Sequence, residues 1–596
     1  MKDSSFKRVL CFGAYPLLIP KTRSTQKGRI TSMVDLIKTA QNELKDILLA
    51  SIGRAVAASD LPAETMPAFT IEIPADTTHG DFATNAAMVS ARAFRLPPKR
   101  IAEIICDNCV LVGTSFARCE IAGPGFINFF LDASWFAKSV TAVLTEDERY
   151  GRTSYGKGKK TMVEFVSANP TGPMHMGNAR GGALGDCLAA VLEYAGFDVT
   201  REFYVNDAGN QIEKFANSLN ARYLQLYKDN IDFPEDGYQG DDIKERAKEF
   251  AAIHADGYVS ADEDVRKKAL VEFALPRNVE KLKDDLGQYR VNYDKWFYES
   301  VLHEGKPSKI EEALLLLAKN GYTYEKDGAL WYKATAFGAE KDDVLVRANG
   351  IPTYFAADIA YHYNKFVERG YDQVINIWGA DHHGHVGRLK GAMTAIGIDS
   401  DRLDIVLMQL VRLVRGGTVV RMSKRTGKAI TLNDLLDEVP VDAARFYFNL
   451  REPNSHFDFD LDLAVEQSAQ NPVYYVQYAH ARICSIFKNL GAEGTTMRAC
   501  TPEELCKLSS REEMELIRHL AKLPGEVDEA AKNYDPARMT RYCVDLATMF
   551  HKFYNAHRVK SDDEPLMQAR LNLCSAVRIT LKNVLALLKI TAPETM

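Results

Sequence analysis

Two short strings about 250 residues apart constrain this chain more than any other feature of it. The first, Asn169-Pro-Thr-Gly-Pro-Met-His175-Met-Gly177-Asn178, is a Gly-Pro loop entering a helical pattern that runs from Asn178 to Tyr194. Gly196 follows, a residue suited to a left-handed C-terminal cap. Apolar segments flank this helix at Thr161–Val166 and Val199–Val205. Strand, glycine-bearing turn, helix and strand make a βαβ unit, the opening of a doubly wound nucleotide-binding fold. The second string, Arg421-Met-Ser-Lys424-Arg, is a basic loop with Arg415, Gly416, Gly417 and Gly427 around it. Alone, each string is an ordinary turn. The helix after the first one is not ordinary, because Gly177, Gly181 and Gly185 recur on one face. Each costs about 1 kcal/mol of helix propensity, which argues against a purely structural helix. A face so bare admits a neighbouring backbone or a phosphate, and the free N–H groups at a helix start favour an anion.

The alternation returns later, with Val374–Trp378 as strand, Val386–Ile396 as helix and Ile405–Leu410 as strand. These readings delimit a Rossmann-type domain over residues 155–435, interrupted at about 207–316 by a charged, helix-forming insertion. Runs such as Asp241-Asp-Ile-Lys-Glu-Arg in that insertion read as solvated helix faces. Ahead of the core, residues 33–140 read as a small α+β domain. It has a helix over Leu36–Val56, strands at Phe69–Ile73 and Phe126–Leu131, and a helical stretch at Thr84–Ala93. Asp81 could cap a plain helix start there. From about Ala464 to residue 596 the pattern is helical throughout, and the tyrosines of Pro472-Val-Tyr-Tyr-Val-Gln-Tyr read as core by their periodicity. Residues 1–32 read as an unstructured extension: the apolar run Val9–Ile19 is broken by Pro16, and no small-residue cleavage site follows it.

Composition enters mainly by what it excludes. A chain of 596 residues exceeds one growing core and predicts several domains. No apolar run reaches the roughly 20 residues of a membrane span, so no membrane partner is expected. A net charge of −6 excludes a generally basic nucleic-acid coat but leaves room for a local basic groove. Of the scattered cysteines only Cys106 and Cys109 form a CxxC, with Cys119 their one near companion. No zinc site is expected, and the thiols read as reduced and cytoplasmic.

Together the two strings resemble the ATP signatures of class I aminoacyl-tRNA synthetases, His-Ile-Gly-His and Lys-Met-Ser-Lys-Ser. Asn178 stands where that pattern has its second His, Arg421 where it has its first Lys, and Arg425 where it has Ser; Lys424 keeps the second Lys. Around them the chain resembles one branch of the class, the arginyl-tRNA synthetases, over everything from Met33 onward. Gly80-Asp-Phe-Ala-Thr-Asn-Ala-Ala is similar to the N-terminal domain with which that family touches the tRNA elbow. The fold implied is α/β, a Rossmann-like class I core with an N-terminal α+β domain and a C-terminal all-α anticodon-binding bundle.

The resemblance also implies roles. Pro173, His175, Gly177, Asn178, Met422, Ser423 and Lys424 would bind ATP, with His175, Asn178 and Lys424 catalytic. Guanidinium is a planar, permanently charged fork that calls for carboxylates. Tyr354 and Asp358, four apart in Ile351-Pro-Thr-Tyr-Phe-Ala-Ala-Asp358, would take it, while Glu164 and Asn169 hold the α-amino and carboxylate end. His382 stands where the family often has Gln, at the α-amino group. The string Gly379-Ala-Asp381-His382-His383-Gly-His385 lacks a defined ligand register, so no metal is expected and Gly379 and Asp381 are assigned to the adenosine ribose. The implied reaction joins arginine to tRNA(Arg) through an adenylate, with ATP as substrate, Mg2+ on its polyphosphate, and a monomeric cytoplasmic enzyme. A nucleotidyltransferase acting without tRNA would share the core but not the helical C-terminus.

Overall fold

Helix-forming and strand-forming segments alternate along a chain that the computed structural model describes over residues 35–422 and 430–596. The extension at 1–32, Met33, and Ser423, Lys424, Arg425 and Gly427 of the second signature lie outside the described residues. The first helix, α1 (Leu36–Ala57), starts at Asp35, whose carboxylate accepts from the Lys38 amide at 2.9 Å. Then come β1 (Ile71–Glu72), β2 (Phe82–Thr84), α2 (Ala86–Phe94), α3 (Pro98–Asp107), β3 (Phe116–Ala122), β4 (Phe126–Leu131) and α4 (Ala133–Glu146). The four strands form one antiparallel sheet in the order β1-β2-β4-β3. Three expectations are corrected here. Only Ile71 and Glu72 of the expected first strand pair, Thr84 belongs to β2 rather than to the helix, and β3 escapes sequence reading altogether. Nor does Asp81 cap a helix. It is buried, accepts from the Leu131 amide at 2.8 Å, and pairs with Arg518 of the far end of the chain.

The core begins with β5 (Lys160–Glu164), α5 (Met176–Tyr194) and β6 (Asp198–Val205). Next are α6 (Gly209–Leu224), α7 (Asp241–His254) and α8 (Glu263–Gln288), which build a cluster of their own around Phe215, Tyr223 and Phe250. The expected helical insertion therefore exists as helices, but β7 (Lys295–Tyr298) lies inside its range and joins the main sheet. Four residues with no alternating pattern do not announce a strand. The chain continues through α9 (Lys309–Lys319), β8 (Thr323–Lys326), β9 (Ala329–Tyr332), β10 (Asp343–Val346), α10 (Tyr354–Tyr363), β11 (Gln373–Gly379), α11 (His383–Ala395) and β12 (Leu403–Met408). The main sheet is five-stranded and parallel, in the order β12-β11-β5-β6-β7. One face is covered by α5, which is buried along nearly its whole length, and the other by α10 and α11. Helices on both faces are what a parallel sheet requires.

Beyond the sheet lie β13 (Val411–Arg415), β14 (Thr418–Val420), α12 (Leu432–Glu438), α13 (Val441–Phe448), β15 (Phe457–Asp460) and α14 (Leu461–Val465). The remainder is helical: α15 (Pro472–Ala492), α16 (Pro502–Leu505), α17 (Arg511–Ala521), α18 (Leu523–Asn533), α19 (Ala537–Ala556) and α20 (Glu564–Leu587). In α15 the core positions are Val473, Val476 and Ala479, while Tyr478 is exposed and stacks alongside Tyr474. The reading of these tyrosines as core holds for Tyr475, half-buried against the core, and fails for Tyr478. No helix of the described residues is long and apolar enough to cross a membrane.

Candidate functional site

In an open parallel sheet, ligands bind beyond the carboxyl ends of the strands where the strand order reverses. Here β5 is the first strand, β6 and β7 extend to one side of it, and β11 and β12 to the other. The crevice therefore opens at Glu164, the end of β5, and Gly379, the end of β11. Leaving β5, Val166 and Ser167 adopt φ of 69° and 43°, unusual for non-glycine residues and most costly for a β-branched one. The turn is held in place by the Ser167 hydroxyl, which donates to Glu164 Oε1 at 2.9 Å and accepts from the Tyr204 amide at 3.2 Å.

From there the first signature loop reaches the N-terminus of α5. His175 is the exposed N-cap residue and spends no side-chain hydrogen bond on capping, so its ring stands at the open helix start. The three glycines prove to have different reasons. A Cβ at Gly185 would stand 2.2 Å from the Phe165 ring, one at Gly181 would meet only Met408 at 3.5 Å, and one at Gly177 would meet nothing. Gly185 is a packing residue, and Gly177 alone leaves open space at the helix start.

Backbone hydrogen bonds bring the second signature to the first. The Met176 amide donates to Ile430 O at 3.0 Å, the Leu432 amide donates to Met174 O at 2.9 Å, and His175 faces Thr431 across this bridge. Ile430 is therefore one hydrogen bond from the helix that would hold a phosphate. Helix α8 braces both strings from outside: Asn278 Nδ2 donates to Pro170 O at 3.0 Å, and Asp285 accepts from Asn433 Nδ2 at 3.0 Å.

Beside this junction lies a cavity of about 260 Å³, lined among others by Glu164, Tyr204, Asn206, Glu299, Tyr354, Asp358, His385 and Arg388. Its floor is a buried chain of charges. Lys365, fully buried, donates to Glu164 Oε2 and, at 3.1 Å, to Asn376 Oδ1, with its ammonium 4.0 Å from the Tyr361 ring centroid. Glu202, also buried, receives Arg369 and the Tyr361 hydroxyl. Glu164 is thus compensated by Lys365, whereas Asp358 and Glu299 have no Lys or Arg within ion-pair distance among the described residues. Asp358 takes hydrogen bonds from His362 Nδ1 at 3.0 Å and His385 Nε2 at 2.6 Å. Burial opposes its ionisation, yet the hydrogen bonds donated by the two neighbouring imidazoles help hold its carboxyl well below the usual carboxylate range. Burial and the nearby Glu299 push the Tyr204 phenol up, leaving it a neutral donor. The cavity can therefore receive one compact, hydrogen-bond-rich cation.

The sequence-predicted residues divide accordingly. Glu164, Tyr354 and Asp358 line the cavity together. Asn169 is exposed and outside its lining, as is His382, whose side chain is 59% exposed. Asp381, Pro173 and Met422 are exposed, and Gly379 ends its strand where a Cβ would collide with Asp381. Ser423 and Lys424 lie outside the described residues. Sequence reasoning missed Glu299, His362, His385 and Arg388. Of these, only His385 carried a signal, as the last histidine of a string considered for metal.

The same architecture recurs in known proteins. Three family profiles match the chain: "Arginyl tRNA synthetase N terminal domain" over residues 42–131, "tRNA synthetases class I (R), catalytic domain" over 139–485, and "DALR anticodon binding domain" over 476–596. A curated protein named arginine–tRNA ligase from Caldanaerobacter subterraneus subsp. tengcongensis is 55% identical over 565 residues, 95% of this chain and 100% of its own. Its namesake from Ruminiclostridium cellulolyticum is 55% identical over 566 residues, with the same coverage. A Campylobacter jejuni structure described as an arginyl-tRNA synthetase is 32% identical with a TM-score of 0.70, covering 78% of this chain and 100% of that one. The Thermus thermophilus arginyl-tRNA synthetase, at 22% identity and TM-score 0.68, covers 93% of this chain and bears on the fold alone.

Proposed function

Because the chain belongs to the arginyl-tRNA synthetase family, we propose that the cavity between β5 and α10 is where it holds the guanidinium of its amino-acid substrate. The enzyme ligates arginine to tRNA with ATP, through an arginyl-adenylate, releasing AMP and pyrophosphate. In the first step the arginine carboxylate attacks the α-phosphate in line and pyrophosphate leaves. In the second, a terminal ribose hydroxyl of tRNA attacks the adenylate carbonyl and AMP leaves. No enzyme nucleophile is required, so orientation and electrostatics carry both steps.

In this reading Asp358, Glu299 and Tyr354 take the guanidinium, with Tyr204 lending a further hydroxyl. Glu164 on its Lys365 partner, Asn169 and His382 serve the α-amino and carboxylate end. His175 and Asn178 donate to the ATP phosphates, which approach past Pro173 and over the open space at Gly177. Gly379 and Asp381 receive the ribose, and Met422, Ser423 and Lys424 close the nucleotide side. ATP arrives as its magnesium complex, the phosphate oxygens supplying the ligands. A monomer in the cytoplasm, with tRNA(Arg) reaching from the helical bundle to the crevice, completes the proposal.

One observation carries it most: Asp358 and Glu299, without a Lys or Arg within ion-pair distance among the described residues, line one cavity at the sheet's reversal point. The test is Asp358→Asn. A neutral amide leaves a buried guanidinium unpaired, a loss of roughly 3–5 kcal/mol. Arginine kcat/KM should fall at least a hundredfold while the KM for ATP stays within a few-fold of wild type. Near-normal arginine use by the variant would remove Asp358 from the pocket.

A further inference from the structure

The two histidines on Asp358 have determined tautomers. Arg388 Nε always carries a proton, and it points at His385 Nδ1 from 3.1 Å. That nitrogen must accept, so the proton of neutral His385 sits on Nε2 and is given to Asp358 Oδ2. The Arg388 charge itself is engaged by Asp343 of β10, at 2.7 Å from Nη1 to Oδ1. On the other side, Lys365 fixes the Asn376 amide by donating to its Oδ1. Asn376 Nδ2 therefore faces His362 Nε2, at 2.8 Å, and that nitrogen too must accept. His362 Nδ1–H is left for Asp358, shared between its carboxylate at 3.0 Å and its main-chain carbonyl at 2.8 Å. Protonating either ring would set two donors face to face.

We infer that Arg388 and Asn376 are positioning residues that hold His385 and His362 as neutral donors to Asp358, so that an arriving guanidinium meets a full carboxylate charge with no cation already upon it. The inference deepens the proposed reading and rests on Asp358 being the guanidinium partner. Without the relay, an imidazole beside Asp358 would take a proton in mildly acid solution and compete with the substrate for the same carboxylate. The titratable and charged groups facing His385 are Asp358 and His362 of α10 and Arg388 of its own helix, with Asp343 of β10 behind. Across the cavity stand Glu164, Glu299, Tyr204, Tyr354 and Tyr361. The Trp378 and Phe355 rings, with centroids 5.4 and 5.5 Å from that of His385, close its remaining sides.

The experiment measures the arginine KM of the full-length enzyme against pH, at saturating ATP and tRNA, for wild type, Arg388→Met, His385→Asn and the Arg388→Met/His385→Asn double variant. Wild type should show no imidazole limb in this KM. Arg388→Met should acquire one, its arginine KM rising about tenfold per pH unit below it, with the ATP KM profile unchanged. The double variant, in which the amide introduced at position 385 donates without titrating, should lose the limb again. A profile of Arg388→Met parallel to wild type, or a limb surviving in the double variant, would overturn the inference. So would a wild-type imidazole limb that disappears in His385→Asn, a result that does not depend on Arg388→Met folding. Asp358→Asn keeps the two claims apart: normal arginine use by it overturns both, whereas an impaired Asp358→Asn with no limb in Arg388→Met overturns the relay alone.

Discussion

His551 is buried in α19 with Arg482 Nη1 at 3.1 Å from its Nδ1, and its Nε2 has no partner among the described residues. Burial, then the Arg482 charge, push its imidazole down to about 4. The unfolded chain takes a proton at the ordinary value of about 6.5, so it binds more protons than the native state between these limits. Stability is therefore complete above about 6.5, falls as the pH drops, and stops falling below about 4. Replacing His551 by Gln should flatten the pH dependence of the urea midpoint in that window by up to one proton's worth. Midpoints that run parallel for wild type and variant would contradict the assignment. Arg482 has a second role at this place, lying over the Tyr478 ring at 4.5 Å and the Tyr554 ring at 5.0 Å. Cation and exposed aromatics side by side are a surface on which unpaired bases stack. A periodicity count cannot distinguish such tyrosines from core ones, since it fixes spacing and not which face is inward.

Among elements, α5 is the one everything else is fitted to. Its Asp186, buried, accepts from Arg445 Nη2 at 2.6 Å and faces Arg201 Nε at 3.3 Å. Arg445 is wholly buried and also donates to Leu588 O at 2.9 Å and Tyr289 O at 3.1 Å, tying the signature helix to the end of α20. Breaking a buried pair from one side leaves an uncompensated charge, at a cost of roughly 3–5 kcal/mol. Asp186→Ala should thus lower the thermal midpoint by several degrees, and Asp186→Leu with Arg445→Met should recover much of that loss. Equal destabilisation in both would mean that the hydrogen bonds of Arg445, not the pair, carry the effect. Elements of this kind are legible in sequence where they are long. The 3.6-residue period and caps locate α5, α11 and α15, and apolar runs locate β5, β6 and β11. Short strands are not legible: β3 fully buries only Phe116 of Phe-Ala-Arg-Cys-Glu-Ile-Ala and shows no clean alternation, and β7 has only four residues. The site divides along the same line. Tyr354 and Asp358, four apart on one helix, are singled out by the resemblance, whereas Glu299, His385 and Lys365 come from other elements and meet Asp358 and Glu164 only through the strand order.

Across the whole molecule, the two ends of the chain lie against each other. Helix α4 packs on α16, α17 and α20, and a single hydrophobic core runs from Leu44 through α5 to Leu588. Polar contacts cross the same seam: Asp81 pairs with Arg518, the Tyr150 hydroxyl donates to Leu520 O at 2.8 Å, and Asn583 Nδ2 donates to Asp147 O at 2.8 Å. The N-terminal sheet, the parallel sheet and the helical bundle are therefore set in fixed relation, as a substrate much larger than the crevice demands. With a net charge of −6 the chain cannot hold a polyanion by bulk attraction, so local basic and aromatic surfaces must do so. A small-molecule nucleotidyltransferase would have no use for this arrangement. The most direct measurement is charging of unfractionated tRNA with each of the twenty amino acids in turn, at saturating ATP. Arginine alone should be esterified, on a minor fraction of the tRNA that no other amino acid fills. Charging with a different amino acid, or arginine-dependent consumption of ATP that never loads tRNA, would contradict the account.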